Sequence, residues 1–198
     1  MSRRAILITG YVAIAAIAIP PSVRPAPRLF WNASASVPIG LYAARPASAA
    51  GLGDLVAAPA PAPVARLMAE RGYLPERVPM LKHVAALAGQ TVCRQGLLVS
   101  IGGIPVAKAR PRDRSGRALP AWEGCRTLRA GEVFLLNAKS ADSFDGRYFG
   151  PIPARSIVAI LKPLWVSAGA SAPAENASNS APPIPQPKTK EMQDDQDR

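Results

Sequence analysis

Glycine and proline interrupt the apolar segments of this chain at short intervals, which limits the elements that it can form. The 198 residues include 15 glycines and 22 prolines. Because proline removes a backbone donor and breaks helices, this composition excludes a bundle of long helices. Short apolar runs between turn residues are instead typical of β-rich proteins. Strands are predicted over residues 54–58, 79–87, 91–94, 97–101, 104–108, 132–136 and 156–161.

Two local patterns add a turn and a helix to these strands. Gly102 and Gly103 separate two apolar runs, and glycine adopts the positive φ angles that a two-residue hairpin needs. Apolar side chains recur at helical spacing over residues 63–71, and Gly72 follows as a stop signal. The predicted fold is therefore mainly β, a compact antiparallel sheet or barrel-like domain with one short helix.

An uncharged N-terminal segment predicts a membrane anchor. Residues 5–23 carry no charge, two arginines precede them, and their length is close to that of a helix that crosses a bilayer. By the positive-inside rule, the N-terminus stays in the cytoplasm and the rest lies outside. A cleaved signal peptide is the alternative, but Pro20-Pro21 stands where its small-residue cleavage site is expected. We therefore expect residues 1–24 to span a bacterial inner membrane once, with the body in the periplasm.

The rest of the chain divides by composition. Residues 24–31 combine arginine, proline and an aromatic pair, which is typical of an interfacial stem. The β-rich domain is expected over residues 25–166, with a basic, exposed loop at 109–129. Residues 167–198 are rich in Ala, Ser, Pro and Asn and cannot bury enough apolar surface to fold, so they are predicted to form a disordered tail.

Charge is unevenly distributed over these segments. The formal net charge is +11, and residues 167–198 contain three basic and five acidic side chains, so residues 1–166 carry +13. A basic body can indicate a nucleic acid or a lipid surface as partner. The chain has no block of Lys and Arg with interleaved aromatics, and the predicted topology faces outward. The alternative is a generally basic, arginine-rich surface with no anionic partner. Nucleic acid is not expected as a partner, and the lipid bilayer is expected because of the predicted anchor.

Histidine and cysteine usage narrows the chemistry. The chain has one His and two Cys, too few for a multi-histidine metal site or a four-cysteine zinc module, so no metal or cofactor is expected. In an oxidising compartment Cys93 and Cys125 could pair, and such a bridge would be worth roughly 3–4 kcal/mol. Free buried thiols are the alternative.

The first candidate site segment is a pair of serines before a bend. In residues 32–42 (NASASVPIGLY), Ser34 and Ser36 precede a proline and a glycine. A serine in this position can present its hydroxyl and its own backbone N–H at one point, which a nucleophile with an oxyanion hole needs. An ordinary polar turn is the alternative.

The second candidate is a lysine within an apolar strand. Side chains alternate along a strand, so Lys82 shares a face with Met80 and Val84, while His83 points to the other face and is expected to be structural. Burial on an apolar face lowers the pKa of a lysine, and a neutral amine can accept the proton of a serine. The alternative is an edge-strand lysine that reaches solvent.

The third candidate is the loop that follows strand 132–136. Residues 139–153 (KSADSFDGRYFGPIP) bring two serines close in sequence to Asp145 and Arg147. The alternative interpretation is a glycine- and proline-rich loop with a local Asp145–Arg147 ion pair, which contributes little at a surface.

Taken together, these segments resemble the bacterial type I signal peptidases, which are membrane-anchored Ser/Lys endopeptidases. The SASVP segment resembles the family's Ser-x-Ser-Met-x-Pro, and LKHVAALAG resembles Lys-Arg-Val-x-x-x-x-Gly. The closing segment SFDGRYFGP resembles Ser-x-Asp-Ser-Arg-Tyr-Trp-Gly, with Gly146 in place of a serine, and Val37 replaces the methionine of the first motif. The SVPIGLY segment is closer still to the conjugative-transfer (TraF-type) branch.

The resemblance implies a role for four residues. Ser36 corresponds to the nucleophile and Lys82 to the general base. Ser34 corresponds to the hydroxyl that completes the oxyanion hole, and Ser143 to the hydroxyl that orients the catalytic amine. No cofactor is implied.

Asp145 matches a position that is important in the family, and its charge raises a physical question. A carboxylate in contact with Lys82 would raise the pKa of the amine and oppose base catalysis. We therefore expect Asp145 to face Arg147 and to shape the loop.

The family also implies a function. It predicts cleavage of signal peptides from an exported precursor with small residues before the cut, and the branch predicts a pilin precursor. A non-enzymatic periplasmic assembly or binding subunit of a conjugation or secretion apparatus remains the alternative.

Overall fold

The structure is a computed structural model that describes residues 2–17 and 27–167. The elements follow in the order α1 (Arg3–Ile17), β1 (Leu29–Asn32), β2 (Gly40–Arg45), β3 (Leu55–Ala58), α2 (Ala62–Glu70), β4 (Met80–Ala86), β5 (Thr91–Gln95), β6 (Leu98–Ile101), β7 (Ile104–Lys108), β8 (Gly124–Thr127), β9 (Glu132–Leu136), α3 (Gly146–Phe149), β10 (Ile152–Pro153) and β11 (Ala159–Val166).

Two sheets make up the domain, and neighbouring strands are antiparallel throughout. The larger sheet has seven strands in the order β1-β2-β11-β3-β4-β9-β10, and the smaller has four in the order β7-β6-β5-β8. Strand β4 lies inside the larger sheet between β3 and β9, with apolar clusters on its faces. The prediction of a mainly β, antiparallel domain is confirmed.

The predicted strands and helix are present, with small shifts at their ends. All strands except the last end within one residue of the prediction, and the helix predicted at 63–71 is α2. The last strand was predicted to stop at residue 161, before Pro163. It continues to Val166 because the pairing with β2 shifts register between Pro163 and Trp165. A bulge accommodates proline within a sheet, since the ladder is interrupted there.

Four strands were not predicted, and one of them corrects the stem predicted at 24–31. Leu29–Asn32 is a strand of the sheet and pairs with Gly40–Arg45, so the described part of that segment belongs to the domain. Gly40 is required at this corner, because a Cβ there would lie 2.1 Å from the backbone oxygen of Trp165. The other two unpredicted strands are β8 and β10.

The smaller sheet contains the predicted hairpin and part of the predicted loop. Gly102 and Gly103 have φ angles of 57° and 82° and join β6 to β7, as the two-residue turn requires. The segment 109–129 is only partly an exposed loop, because it forms β8 and buries Ala109 and Leu128.

The predicted membrane anchor and tail are described only in part. Helix α1 covers Arg3–Ile17, and residues 18–24 of the predicted anchor lie outside the described residues, as do residues 168–198 of the predicted tail. Within the described part of the chain, no helix combines the length and the apolar character needed to cross a membrane.

Candidate active site

A cavity of about 850 Å³ opens between the serine segment, strand β4 and the loop before α3. Ser34, Ser36, Lys82 and Ser143 all line it. The three segments singled out in the sequence, which are separated by tens of residues along the chain, therefore contribute to one concave surface.

The serine segment is a turn organised by one buried amide. Asn32, which is 5% exposed, donates from Nδ2 to the carbonyls of Ser34, Val37 and Pro38 at 2.8, 3.0 and 3.0 Å. Its Oδ1 accepts from the backbone N–H of Ser34 at 3.0 Å and from the Ser34 hydroxyl at 2.9 Å. Asn32 was not predicted as a site residue. The available signal was a polar side chain placed where a strand gives way to a turn.

The two hydroxyls of this turn contact one another. Ser34 Oγ and Ser36 Oγ lie 3.1 Å apart, and Ser36 is half-buried while Ser34 is exposed. The turn thus presents the Ser36 hydroxyl to the cavity, with a second hydroxyl beside it.

Lys82 occupies a buried position on β4. Its side chain is in the apolar face that alternation predicts, with Met80 and Val84, and Lys82 is 4% exposed, so it does not reach solvent as an edge-strand lysine. The amine Nζ donates to Ser143 Oγ at 2.7 Å. Burial lowers the pKa of Lys82 from 10.5 to about 8, and the smaller influences of Asp145 and Arg147 oppose each other.

His83 lies on the opposite face of β4 from Lys82 and is exposed. Its backbone N–H donates to Asn137 Oδ1 at 3.2 Å, and its ring Nδ1 lies 3.0 Å from the same oxygen. Asn137 in turn donates from Nδ2 to the carbonyl of Leu81 at 3.0 Å. His83 therefore helps to join β4 to the end of β9, as its predicted structural role requires.

Asp145 and Arg147 form a buried ion pair, with 0% and 1% of their side chains exposed. Arg147 Nε donates to Asp145 Oδ1 and Nη2 to Oδ2, both at 2.8 Å. Asp145 thus faces Arg147, the partner that the pKa argument predicts. Arg147 Nη2 also donates to the carbonyls of Ser140 and Ser143 at 2.7 and 3.0 Å, so the pair fixes the loop that carries Ser143.

Gly146 is set by close packing of α3 over β9. A Cβ at this position would lie 2.6 Å from the ring of Phe134 and 2.7 Å from the carbonyl oxygen of Leu135. This contact accounts for the glycine where the family motif has serine.

The structure leaves the proposed nucleophile and base with separate partners. Among the described residues, no hydrogen bond joins the Ser36 hydroxyl to the Lys82 amine, since the first bonds to Ser34 and the second to Ser143. Hydrogen bonds between catalytic groups often tighten only when substrate binds. Three groups thus face one cavity: the Ser36 hydroxyl, the buried Lys82 amine with its lowered pKa, and the Ser34 hydroxyl beside Ser36.

The outer wall of the cavity is basic. Arg110 Nη1 lies 2.9 Å from Asp142, and Arg114 pairs with the same carboxylate. Arg71 and Arg112 also line the wall and donate to backbone carbonyls. The five arginines of the lining outnumber its two aspartates, Asp113 and Asp142. Across residues 2–17 and 27–167, no cluster of three or more His, Cys, Asp or Glu side chains could hold a metal.

Cys93 and Cys125 form a disulfide between β5 and β8, where the two residues are directly paired in register. The bridge lies in the smaller sheet and does not line the cavity.

Proteins of similar sequence identify the family of the chain. The family described as "Signal peptidase, peptidase S26" matches residues 1–165 of the chain. The chain belongs to this family. The plasmid transfer protein TraF of Escherichia coli is 32% identical over 142 residues, which cover 67% of this chain and 80% of that protein. A probable conjugal transfer protein TraF of Sinorhizobium fredii is 33% identical over 142 residues, covering 66% and 73%.

These relatives confirm the predicted TraF-type branch of the signal peptidase family. Among solved structures, a signal peptidase I from Enterococcus faecalis is similar, with 19% identity and a TM-score of 0.34 over 57% of this chain and 96% of that one.

Proposed function

We propose that this protein is a membrane-anchored serine endopeptidase that removes signal peptides from exported precursors. The observation that carries the proposal is the buried Lys82 amine, whose pKa is lowered to about 8, in the wall of the cavity that also exposes the Ser36 hydroxyl. A lysine with an ordinary pKa is protonated at neutral pH and cannot act as a base. The proposal therefore rests on desolvation of this amine.

In the proposed reaction, Ser36 Oγ attacks the scissile carbonyl and its proton passes to Lys82 Nζ. The tetrahedral oxyanion is stabilised by the backbone N–H of Ser36 and the hydroxyl of Ser34. The C–N bond then breaks, and the leaving amine takes the proton from Lys82. Water adds to the acyl-enzyme with Lys82 again accepting the proton, which restores the Ser36 hydroxyl and releases the new carboxyl terminus.

Membrane attachment is supported by two exposed apolar features. Beyond Arg4, helix α1 carries apolar side chains with large exposed fractions, such as Leu7 at 72% and Tyr11 at 79%. Trp31 and Trp165 are 61% and 58% exposed, and their rings stack with centroids 6.0 Å apart. Tryptophan is enriched where proteins meet the lipid headgroups. We propose a bacterial inner-membrane protein with its domain in the periplasm, where a disulfide persists.

The proposed substrate is a pilin precursor with small residues before the cut. This proposal rests on the family and on relatives named as plasmid transfer or conjugal transfer proteins.

The test is precursor processing in cells that express the wild type, Ser36→Ala or Lys82→Ala. Both variants should abolish processing, while Ser100→Ala in the smaller sheet and Lys162→Ala at an exposed position serve as matched controls. Unchanged processing in both site variants would contradict the proposal and favour the non-enzymatic assembly subunit.

A further inference from the structure

We propose that Arg94 is a positioning residue that holds the segment carrying Ser143 against the Lys82 amine, although it touches neither residue. The inference rests on the proposed function, because it assigns Arg94 a part in keeping the base aligned. The observation behind it is the buried guanidinium of Arg94, which has no role in the proposed reaction.

Arg94 is buried without an acidic partner. It lies on β5 with 2% of its surface exposed, and among the described residues it forms no salt bridge with a carboxylate. Its Nε donates to the carbonyl of Gly96 at 3.0 Å, and its Nη1 donates to the carbonyls of Arg147 and, at 3.4 Å, Pro120. Burial of a guanidinium that no carboxylate neutralises opposes folding, and its hydrogen bonds to backbone carbonyls offset that cost.

The carbonyl that Arg94 binds belongs to helix α3. This helix has four residues; the N–H of Gly150 donates to the carbonyl of Gly146 at 2.9 Å, whereas Pro151 has no N–H to offer the carbonyl of Arg147. Arg94 takes the carbonyl of Arg147, and Trp122 Nε1 donates to the carbonyl of Gly146 at 2.9 Å. Two side chains from outside the larger sheet therefore hold consecutive carbonyls of α3.

The disulfide ties these two donors together. Cys93 precedes Arg94 on β5, and Cys125, its directly paired partner on β8, follows Trp122 by three residues. The bridge therefore fixes the spacing of the two donors, and we call Arg94, Trp122 and the disulfide the α3 clamp.

From α3 the contacts continue to the amine. Arg147 donates from its side chain to the carbonyl of Ser143 at 3.0 Å, and Ser143 Oγ accepts from Lys82 Nζ at 2.7 Å. The backbone of Arg147 is held by Arg94 while its side chain holds Ser143, so a displacement of α3 moves the hydroxyl that orients the base. Arg94 itself does not line the cavity, which separates it from substrate contacts.

The test compares Arg94→Met, which keeps the length and removes the donors, with Arg94→Lys, which keeps a charge and a donor. Purified full-length protein in detergent is assayed with a precursor peptide across pH. We expect Arg94→Met to stay folded, to lose about 10- to 100-fold in kcat with little change in KM, and to require higher pH for half-maximal kcat/KM. The pH shift follows because a loosened Ser143 admits water to the amine, and Asp145 and Arg147 are the charged groups that act on it. Arg94→Lys should restore part of the rate.

Two further variants test the inference independently of Arg94→Met: one removes the other donor to α3, and one serves as a control. Trp122→Phe removes the other donor while keeping the ring, and should change kcat and the pH profile in the same direction by a smaller factor. Arg126→Met on β8 removes an exposed arginine with no bond to α3 and should behave as wild type. A folded Arg94→Met protein with wild-type kcat and pH profile would overturn the inference. If it does not fold, a wild-type profile for Trp122→Phe would do so. An inactive wild type would instead overturn the proposed function.

Discussion

The serine turn and the lysine pocket face the same cavity, but they are built in different ways. The turn is held by Asn32 through contacts that span at most six residues of sequence, and its hydroxyls are partly accessible to solvent. The pocket joins Lys82 to Ser143 across 61 residues, beside a fully buried ion pair. The proposed nucleophile thus depends on local geometry, whereas the proposed base depends on the whole fold. Variants in the turn and variants in the pocket should therefore differ in their effects on stability and on the pH dependence of activity.

The largest expected effect is on the pocket side. Asp145→Asn removes one partner of the buried pair and leaves the Arg147 guanidinium uncompensated, so we expect the free energy of unfolding to fall by about 3–5 kcal/mol. Urea denaturation measures it. Asp142→Asn is the control, because its partly exposed pairs with Arg110 and Arg114 are screened by solvent and should contribute far less. Equal losses for the two variants would contradict the distinction between pocket and surface.

The next effect separates stability from catalysis. Lys82→Met should be inactive and yet more stable at neutral pH by about 1–3 kcal/mol, because burial of the amine disfavours its charged form in the native state. The direction in which stability changes with pH follows from the number of protons that the native and unfolded states bind. Between pH 8 and 10.5 the unfolded wild type binds more protons than the native state, so wild-type stability rises over this range. The advantage of the variant should shrink there.

Thermal unfolding from pH 7 to 10.5 checks this prediction. Lys162→Met, at an exposed site, is the matched control and should show no comparable gain. A variant less stable than wild type at pH 7 would show that the amine does not oppose folding. In activity assays, the wild-type kcat/KM should rise with pH through about 8, since the base must lose its proton.

On the turn side, Asn32→Ala should lower the free energy of unfolding by about 1–3 kcal/mol, because it leaves the carbonyls of Ser34, Val37 and Pro38 without their donor. It should reduce kcat by displacing Ser36, while the pH midpoint of kcat/KM stays at the wild-type value. Ser143→Ala, in the pocket, should move that midpoint. The pH profiles of the two variants measure the separation directly, and a shifted midpoint for Asn32→Ala would show that turn and pocket are coupled in the free enzyme.

The smallest effect concerns the basic wall. Arg114 has 81% of its side chain exposed, so its attraction for a substrate carboxylate is largely screened. Arg114→Gln should raise KM about two- to fivefold for peptides with acidic residues near the cut, and leave neutral peptides unchanged. Steady-state kinetics at low and high salt test this, with Arg155→Gln as the control. An equal effect on neutral peptides would argue against charge recognition.

The positions of Lys82 and Asp145 in the pocket followed from simple periodicity and charge arguments, whereas the role of Ser143 came from the family resemblance. Alternation on one strand places Lys82 with Met80 and Val84, and the conflict between a carboxylate and a neutral amine assigns Asp145 to Arg147. The hairpin at Gly102 could also be predicted from the sequence, because a two-residue turn depends only on the backbone conformation of its own residues.

The remaining features depend on contacts that no local pattern records. Arg94 binds a carbonyl 53 residues away, and nothing near it in sequence marks that partner. Strand β1 is short and lies at the edge of the sheet, where stem-like composition outweighed any strand signal, while β2 lies inside the sheet between β1 and β11. The extension of β11 depends on a bulge that the proline rule alone does not predict.

The contact at Gly146 constrains how this protein can diverge from its relatives. The ring of Phe134 and the carbonyl of Leu135 fill the space that a side chain at 146 would need. A serine there, as in the family motif, is compatible only with a helix α3 lifted away from β9, so a single exchange would disturb Asp145 and Arg147 on either side. The glycine and its packing therefore form one structural unit, and an exchange of glycine for serine requires coordinated change at the contacting positions.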